Sequence, residues 1–363
     1  MNRRQLIAGG AAVTVIAAGS AAAIWHMGSS QDYDRAVADM RSGLAADAAT
    51  PDLIRYAALA ASGHNTQPWR FRVTGDRIDI LPDKSRRTPI VDPDDHHLFV
   101  SLGCATENLM LAAAARGRPG RAEFVPVDGG AITFVSTAGA PVVSQLFDAI
   151  PRRQSTRAEY DGRQVPTEIL RALGTAATTP GVEMVLLTDR PRIDRIADLV
   201  ARGNSAQRAD PAFVRELKHW LRFNPRAALE SGDGLFSMAS GSPALPSLIG
   251  PTFFDLFAGV DAENDKYLGQ LRSSAGIAVF VGARADPEHW VQVGRACQRF
   301  ALQATALGLK HAHINQPVEV PSLRFELAGL VGTPGRRPDI VMRFGYGPTL
   351  PYSARRPVQS VLA

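Results

Sequence analysis

Ser62-Gly63-His64-Asn65-Thr66-Gln67-Pro68-Trp69-Arg70-Phe71 joins an Ala-rich helical pattern to a run of alternating strand residues. Ser62, Gly63 and Asn65 are turn formers. They predict a loop that leaves backbone N–H groups free and lets a ligand approach closely. Pro68 predicts an extended Gln67 and a clean strand start at Trp69. Taken alone, the spacing fits a helix–strand turn around a core tryptophan equally well.

The neighbouring sequence supplies the context. Thr50-Pro51-Asp52 predicts a helix start, with Thr as N-cap and Pro in the first turn, so residues 53–61 deliver the loop. Residues 70–74 and 77–81 alternate around Gly75-Asp76 and predict a hairpin. Residues 98–117 form a long apolar helical pattern. That pattern repeats: Gly103-x-Ala105-x5-Leu111-x-Ala113-x-Ala115-x-Gly117 recurs as Gly294-x-Ala296-x5-Leu302-x-Ala304-x-Ala306-x-Gly308, an offset of 191. Leu53-Ile54-Arg55 leading to Ala60-Ala61-Ser62 recurs as Ile169-Leu170-Arg171 leading to Ala176-Ala177-Thr178, an offset of 116. The offsets differ by 191 − 116 = 75. Two matches in the same order predict a duplication, with about 75 extra residues inserted in the second copy between roughly 200 and 275. The halves are then residues 29–150 and 151–363.

The insertion holds a helical pattern at 215–222 with His219 and Trp220, a Gly/Ser/Pro-rich stretch at 231–251, and the aromatics Phe253, Phe254 and Phe257. An insertion of this length inside a domain predicts a lid or functional loop. Its aromatics either cover a flat ring system or pack the insert onto the core. Residues 277–283 predict a buried strand, 339–347 the last strand, and Tyr352-Ser353-Ala354-Arg355-Arg356-Pro357 a basic closing turn.

At 363 residues the chain accommodates two subdomains around a shared core. The net charge of +5 is modest and its arginines are scattered, which argues against a nucleic-acid partner. Asn2-Arg3-Arg4-Gln5-Leu6 precedes an uncharged run to Trp25 that passes through Ala21-Ala22-Ala23. This predicts a secretory signal over residues 1–28 and an exported, periplasmic protein. The paired arginines and Leu6 suit the twin-arginine route, which carries folded, cofactor-loaded proteins, although no Lys follows. Left uncleaved, the same run would anchor the chain in the membrane, its one predicted membrane contact. Cys104 and Cys297 fall in apolar helical patterns and predict buried free thiols.

A second chemistry-bearing stretch is Arg152-Arg153-Gln154-Ser155-Thr156-Arg157-Ala158-Glu159-Tyr160, ahead of a helix near Thr167. Guanidinium forks suit phosphate oxygens and a Ser hydroxyl adds a short donor. In isolation such a run also describes a solvated basic loop. Together the two stretches resemble the FMN-dependent nitroreductase family, in its Acg-like FMN-binding branch. The first matches that family's Ser-x-x-Asn-x-Gln-Pro-Trp-x-Phe loop and the second its Arg-x-Ser-x-Arg/Lys motif. The resemblance covers most of residues 50–360.

The resemblance implies an α/β (α+β) fold, an αβα sandwich with a mixed sheet between helices. Its two fused nitroreductase-like halves would form a pseudo-dimer with one FMN between them. It implies that Arg153 and Ser155 take the FMN phosphate and ribityl chain, with Gln154 at a position the family varies. Arg157 is placed beside the flavin N1–C2 edge, where a fixed cation stabilises the reduced ring. Ser62, Gly63, His64, Asn65 and Gln67 form the facing loop. Asn315 and Gln316 lie at the polar edge of the ring; Arg355 clamps the phosphate, assisted by Arg356. Each half holds only one motif, so one site is expected instead of two, in a monomer or a homodimer.

The implied activity is electron transfer from NAD(P)H, as a transient donor, to a nitro, quinone or similar small-molecule acceptor. No acid–base side chain is evident for it. The alternative is an FMN-sequestering protein with little turnover, and a third possibility is a binding protein that has lost FMN. No metal site is expected: Asp92, Asp94, Asp95, His96 and His97 predict a solvated loop, and His311 and His313 strand packing. Neither a Gly-x-Gly-x-x-Gly fingerprint after a strand nor a Gly-x-Ser-x-Gly elbow is present.

Overall fold

The computed structural model describes residues 26–257 and 259–363. The expected signal or anchor lies outside these residues but for its last positions.

Helix α1 (Ser30–Met40) is capped by the Ser29 hydroxyl. Helix α2 (Thr50–Ala58) begins at Thr50, the expected cap, so the cap itself falls one residue earlier, on Ala49, whose N–H the Asp52 carboxylate accepts. Strands β1 (Trp69–Thr74) and β2 (Arg77–Pro82) pair across Gly75, whose φ of +58° the turn requires. Helix α3 (His96–Ala115) and strands β3 (Gly120–Val125) and β4 (Ala131–Ser136) complete the first sheet, in the order β1-β2-β4-β3.

The second half repeats the scheme. It comprises α4 (Thr167–Ala177), β5 (Val182–Leu187), α5 (Arg190–Ala209), α6 (Pro211–Trp220), α7 (Val260–Arg272), β6 (Gly276–Gly282), α8 (Pro287–Ala306), β7 (Lys310–His313) and β8 (Ile340–Gly345). Its sheet runs β5-β6-β8-β7, position for position the order of the first. Where β1 and β2 are joined by a tight turn, β5 and β6 are separated by residues 188–275. The insertion therefore opens earlier than the sequence offsets place it, directly after β5. A hairpin turn is where a duplicated sheet can part without losing a strand.

The halves meet at α3 and α8. A Cβ on Gly103 would lie 2.1 Å from the Val291 carbonyl oxygen, and one on Gly294 would lie 2.0 Å from that of Val100. Val100 and Val291, like Gly103 and Gly294, are separated by the repeat offset, so the contact is reciprocal. That is the signature of a two-fold interface, here within one chain. Either glycine replaced by alanine forces two helix backbones apart. G103A is expected to lose about 1–3 kcal/mol in urea unfolding, and G103A/G294A less than twice that, because both relieve one crossing.

Beside the crossing, the buried Glu107 of α3 accepts from Arg295 Nε (3.0 Å) and Arg299 Nη1 (2.7 Å) of α8. E107A strands both guanidiniums, which keep some water. The expected loss is about 2–3 kcal/mol, below the full cost of breaking a buried pair, read by the same denaturation. Cys104 and Cys297 lie buried and unbridged on these two helices, as expected.

The sheets differ in cover. Ala278, Phe280, Met342 and Phe344 face the central helices, as do Phe71, Ile80 and Phe134 of the first sheet. The far face of the second sheet, Ile277, Val279, Val281 and Val341, packs on Ile193, Ile196 and Leu271 of the insertion. The three-layer arrangement is thus complete in the second half. The first sheet's far face stays open, and Val135 is exposed there. The reason is in the strands: β6 is apolar throughout, whereas β1 alternates with Arg70 and Arg72. Every ladder within the two four-stranded sheets is antiparallel; among the described residues, parallel pairing enters as the bridges Phe71–Leu362 and Ser155–His311 and as a short two-stranded ribbon in the insertion, Leu221–Arg222 with Leu235–Phe236.

A candidate anion and cofactor site between the halves

The organising loop is strained. His64, Asn65 and Gln67 have φ of 46°, 54° and 53°, left-handed values uncommon for non-glycine residues. The extended Gln67 expected from Pro68 is not formed. The Ser62 hydroxyl accepts the Gln67 N–H (3.1 Å), and the Gln67 amide donates to the Gly232 carbonyl of the insertion (2.8 Å), which over-determines the turn. Nor are most of the loop N–H groups free: Gly63 donates to Ser101 Oγ, Asn65 to Ser62 O and Thr66 to Gly63 O.

One cavity gathers most of the expected residues: Ser62, Gly63, His64, Asn65, Arg153, Gln154, Ser155, Arg157, Asn315, Gln316 and Arg355. Gln67 and Arg356 lie behind it, where the Arg356 N–H donates to Gln67 Oε1 and its guanidinium to Gln67 O. They hold the loop to the C-terminal tail.

Four arginines line the cavity, Arg41, Arg153, Arg157 and Arg355, and none is ion-paired among the described residues. Arg355 spends all its donors on carbonyls: Ala58, Leu59 and Ala60 at the end of α2, and Ser353 and Ala354 of its own tail. It caps a helix C-terminus and leaves no N–H for a phosphate clamp. Gln154 is likewise engaged, with both amide atoms on the Leu350 backbone. Arg153 keeps one bond, to Leu59 O, and its buried Nε has no partner.

Arg41, which nothing in the sequence singled out, donates to the Pro151 and Arg153 carbonyls, stacks on Tyr352 and also leaves Nε unpartnered. Burial, and then the charge of Arg153, pull its pKa down to about 9. Burial likewise lowers Arg153, and lowers Arg355 further with Arg41 and Arg153 adding to the effect.

The Arg157 guanidinium makes no hydrogen bond to any described residue, and burial lowers its pKa. Its backbone is fixed. Gln270 Nε2 donates to Arg157 O (2.7 Å), and the fully buried Arg343 donates to the flanking Thr156 and Ala158 carbonyls (3.1 and 2.8 Å). Ser155 Oγ also has no hydrogen bond among the described residues.

The opposite wall carries His97, Glu319 and, from the insertion, Gln207, Leu217, Leu235 and Tyr267. Phe253 and Phe254 are not part of it. Arg86 and Arg222 both pair with Asp233, Asn65 Nδ2 donates to Gly234 O (3.1 Å), and Glu216 accepts from the Ile90 and Val91 N–H groups (both 3.0 Å). The insertion is thereby pinned onto the organising loop.

The Asp92–His97 segment is no solvated loop: Asp92, Asp95 and His96 are buried at the start of α3. Asp92, His96 and His97 bring donor atoms within 4.8 Å of one another. The Asp92 oxygens, however, accept the His97 and Leu98 N–H groups, and the His96 ring nitrogens face Asp339 and Arg337. His311 is buried in β7, and His313 reaches the cavity.

Two mycobacterial relatives match most of the chain. No protein-family model matches. Over 325 residues the chain is 26% identical to a Mycobacterium tuberculosis (strain H37Rv) protein provisionally named NAD(P)H nitroreductase, covering 85% of this chain and 90% of that one. It is 24% identical over 325 residues to the same organism's acg protein, also provisionally named NAD(P)H nitroreductase, covering 85% and 93%. Among solved structures, a Desulfitobacterium hafniense nitroreductase with bound FMN aligns at 13% identity and TM-score 0.37, over 59% of this chain and 94% of that one. The Mycobacterium smegmatis nitroreductase NfnB in complex with NADPH aligns at 16% and 0.37, over 56% and 87%.

Proposed function

We propose that the chain binds FMN between its two halves and acts as an oxidoreductase of nitroreductase type, as an exported monomeric pseudo-dimer. The observation that carries this is the cavity lined by four arginines without ion pairs. Burying guanidiniums without counter-charge is costly, and a phosphate-bearing, electron-rich ligand offsets that cost. The relatives' names support the class of reaction.

The residues present fit FMN. Arg41 and Arg153, each with an unpartnered Nε, would take the phosphate with Ser155. Arg355 would add positive potential while holding the end of α2. Arg157 would face the ring edge that becomes negative on reduction, with Gln316, whose Oε1 is unpartnered, near it. When bound, FMN supplies two-electron exchange between a reduced nicotinamide and a nitro or quinone acceptor.

A sequestering role is the second reading, favoured by the insertion's attachment to the loop through Asp233, Gly232 and Gly234. Anaerobic titration of the purified protein with NADPH, then NADH, separates the two. Bleaching of the flavin band, reversed by a quinone or nitroaromatic, is the expected result. A band bleached by dithionite alone supports sequestration or another donor. A protein that neither carries nor takes up FMN overturns both.

A further inference from the structure

We propose that His97 and Glu319 form a proton-delivering pair on the cavity wall, supplying the proton that a two-electron acceptor takes up there. This rests on the flavin reading above and adds to it the acid group that no sequence motif marks.

Both side chains line the cavity, and His97 Nδ1 lies 3.7 Å from Glu319 Oε1. The gap is too long for a hydrogen bond and short enough for a strong mutual influence. The other carboxylate oxygen, Oε2, is held by Gln207 Nε2 at 2.6 Å. Asp92 fixes the backbone of His97 by accepting its N–H at 2.9 Å. Side-chain exposures of 11% and 16% leave the pair largely shielded but open to the cavity. In a cavity with four arginines, Glu319 pairs with none of them; its neighbour is the His97 imidazole, whose two ring nitrogens can each hold or pass on a proton. Burial pushes the Glu319 carboxyl up, with His97 opposing. The groups that set the pair's field are Asp92 and His96 beside His97, His64 from the loop, His313 from β7, Asp339 ahead of β8, Arg324 just beyond Glu319 and Tyr267 of the insertion.

The chemistry needs such a group. A quinone reduced to a hydroquinone takes up two electrons and two protons. One proton arrives with the hydride equivalent of reduced FMN. The pair delivers the other and regains it from solvent. With the insertion drawn over the cavity, that proton comes from the wall.

The test uses FMN-loaded protein, reduced anaerobically with dithionite and mixed with benzoquinone or with ferricyanide, an acceptor that takes an electron and no proton. H97N and E319Q are expected to slow reoxidation by benzoquinone about 100-fold, and to abolish its pH dependence and solvent isotope effect. The ferricyanide rate and the FMN dissociation constant should move less than threefold. A readout free of turnover comes from the flavin-free chain: diethyl pyrocarbonate is expected to modify His97, and FMN with benzoquinone to protect it.

Loaded variants that keep wild-type benzoquinone rates overturn the proton-delivery proposal alone. Variants slowed equally with both acceptors show a structural role and overturn it too. Wild-type protein that takes up no FMN removes the flavin reading on which the proposal stands.

Discussion

Arg157→Gln is expected to weaken FMN binding about 100-fold while stabilising the flavin-free chain. The two effects share one cause. In the flavin-free protein the guanidinium lines the cavity, only partly exposed, and donates to no described residue, so desolvation lowers its pKa. Removing an uncompensated buried charge relieves desolvation, worth about 1–2 kcal/mol in urea unfolding. With FMN bound, the same guanidinium would supply charge-assisted hydrogen bonds of about 1.5–3 kcal/mol, the size of the expected affinity loss. The flavin potential should fall as well, because the reduced, negative ring loses its cation. Flavin fluorescence quenching measures the affinity, and redox-dye equilibration the potential. A purely structural arginine behaves oppositely: its loss destabilises the chain and leaves the potential unchanged.

Acid should unfold this protein early. Burial holds the His64 pKa down at about 4, with Arg157 and His97 adding to it, and that of His313 at about 3, with Arg153 and Arg157 adding. His96 and His311 are lowered too, again first by burial. These groups bind protons more weakly folded than unfolded. Their contribution to stability is fully present above the unfolded value of 6.5 and is lost as pH falls toward the folded values. At pH 5 the loss is about 2 kcal/mol for each of His64 and His313, an upper figure because the cavity admits water.

Asp339 runs the other way. Burial raises its pKa to about 6, so its protonation returns part of that stability below pH 6. The net expectation is a urea midpoint that drops by several kcal/mol equivalent between pH 7 and 5. In H64N, where Asn tolerates the left-handed φ, the slope should shrink by one proton. A midpoint flat over that range would contradict the buried neutral histidines.

Much of this was legible beforehand because it is written in local pattern. The two glycine-marked helices predicted the duplication, since only glycine lets two helix backbones approach as α3 and α8 do at Gly103 and Gly294. The apolar run of β6 announced a strand covered on both faces. The Asn65 loop and the Arg153–Arg157 run were visible as turn chemistry and clustered charge.

What stayed hidden depends on partners distant in the chain. Arg41 sits in an unremarkable lead-in and becomes a cavity cation only because α1 packs its end against residues 151–153. Arg355 looked like a ligand clamp, yet its N–H groups meet the carbonyls that end α2, almost the whole chain away. Gln67 was expected to be extended, and bonds to Ser62 and Gly232 hold it left-handed instead. His97 and Glu319 carry no shared motif; they meet because the start of α3 and the segment after Asn315 border one cavity.

By itself the sequence determined the repeat, the apolar central helices and the two motif stretches, because periodicity and residue chemistry act over short spans. Which donors are already spent, which charges stand alone and which acids face each other were decided only by the tertiary structure, because hydrogen bonding and desolvation depend on neighbours that the fold brings in from elsewhere.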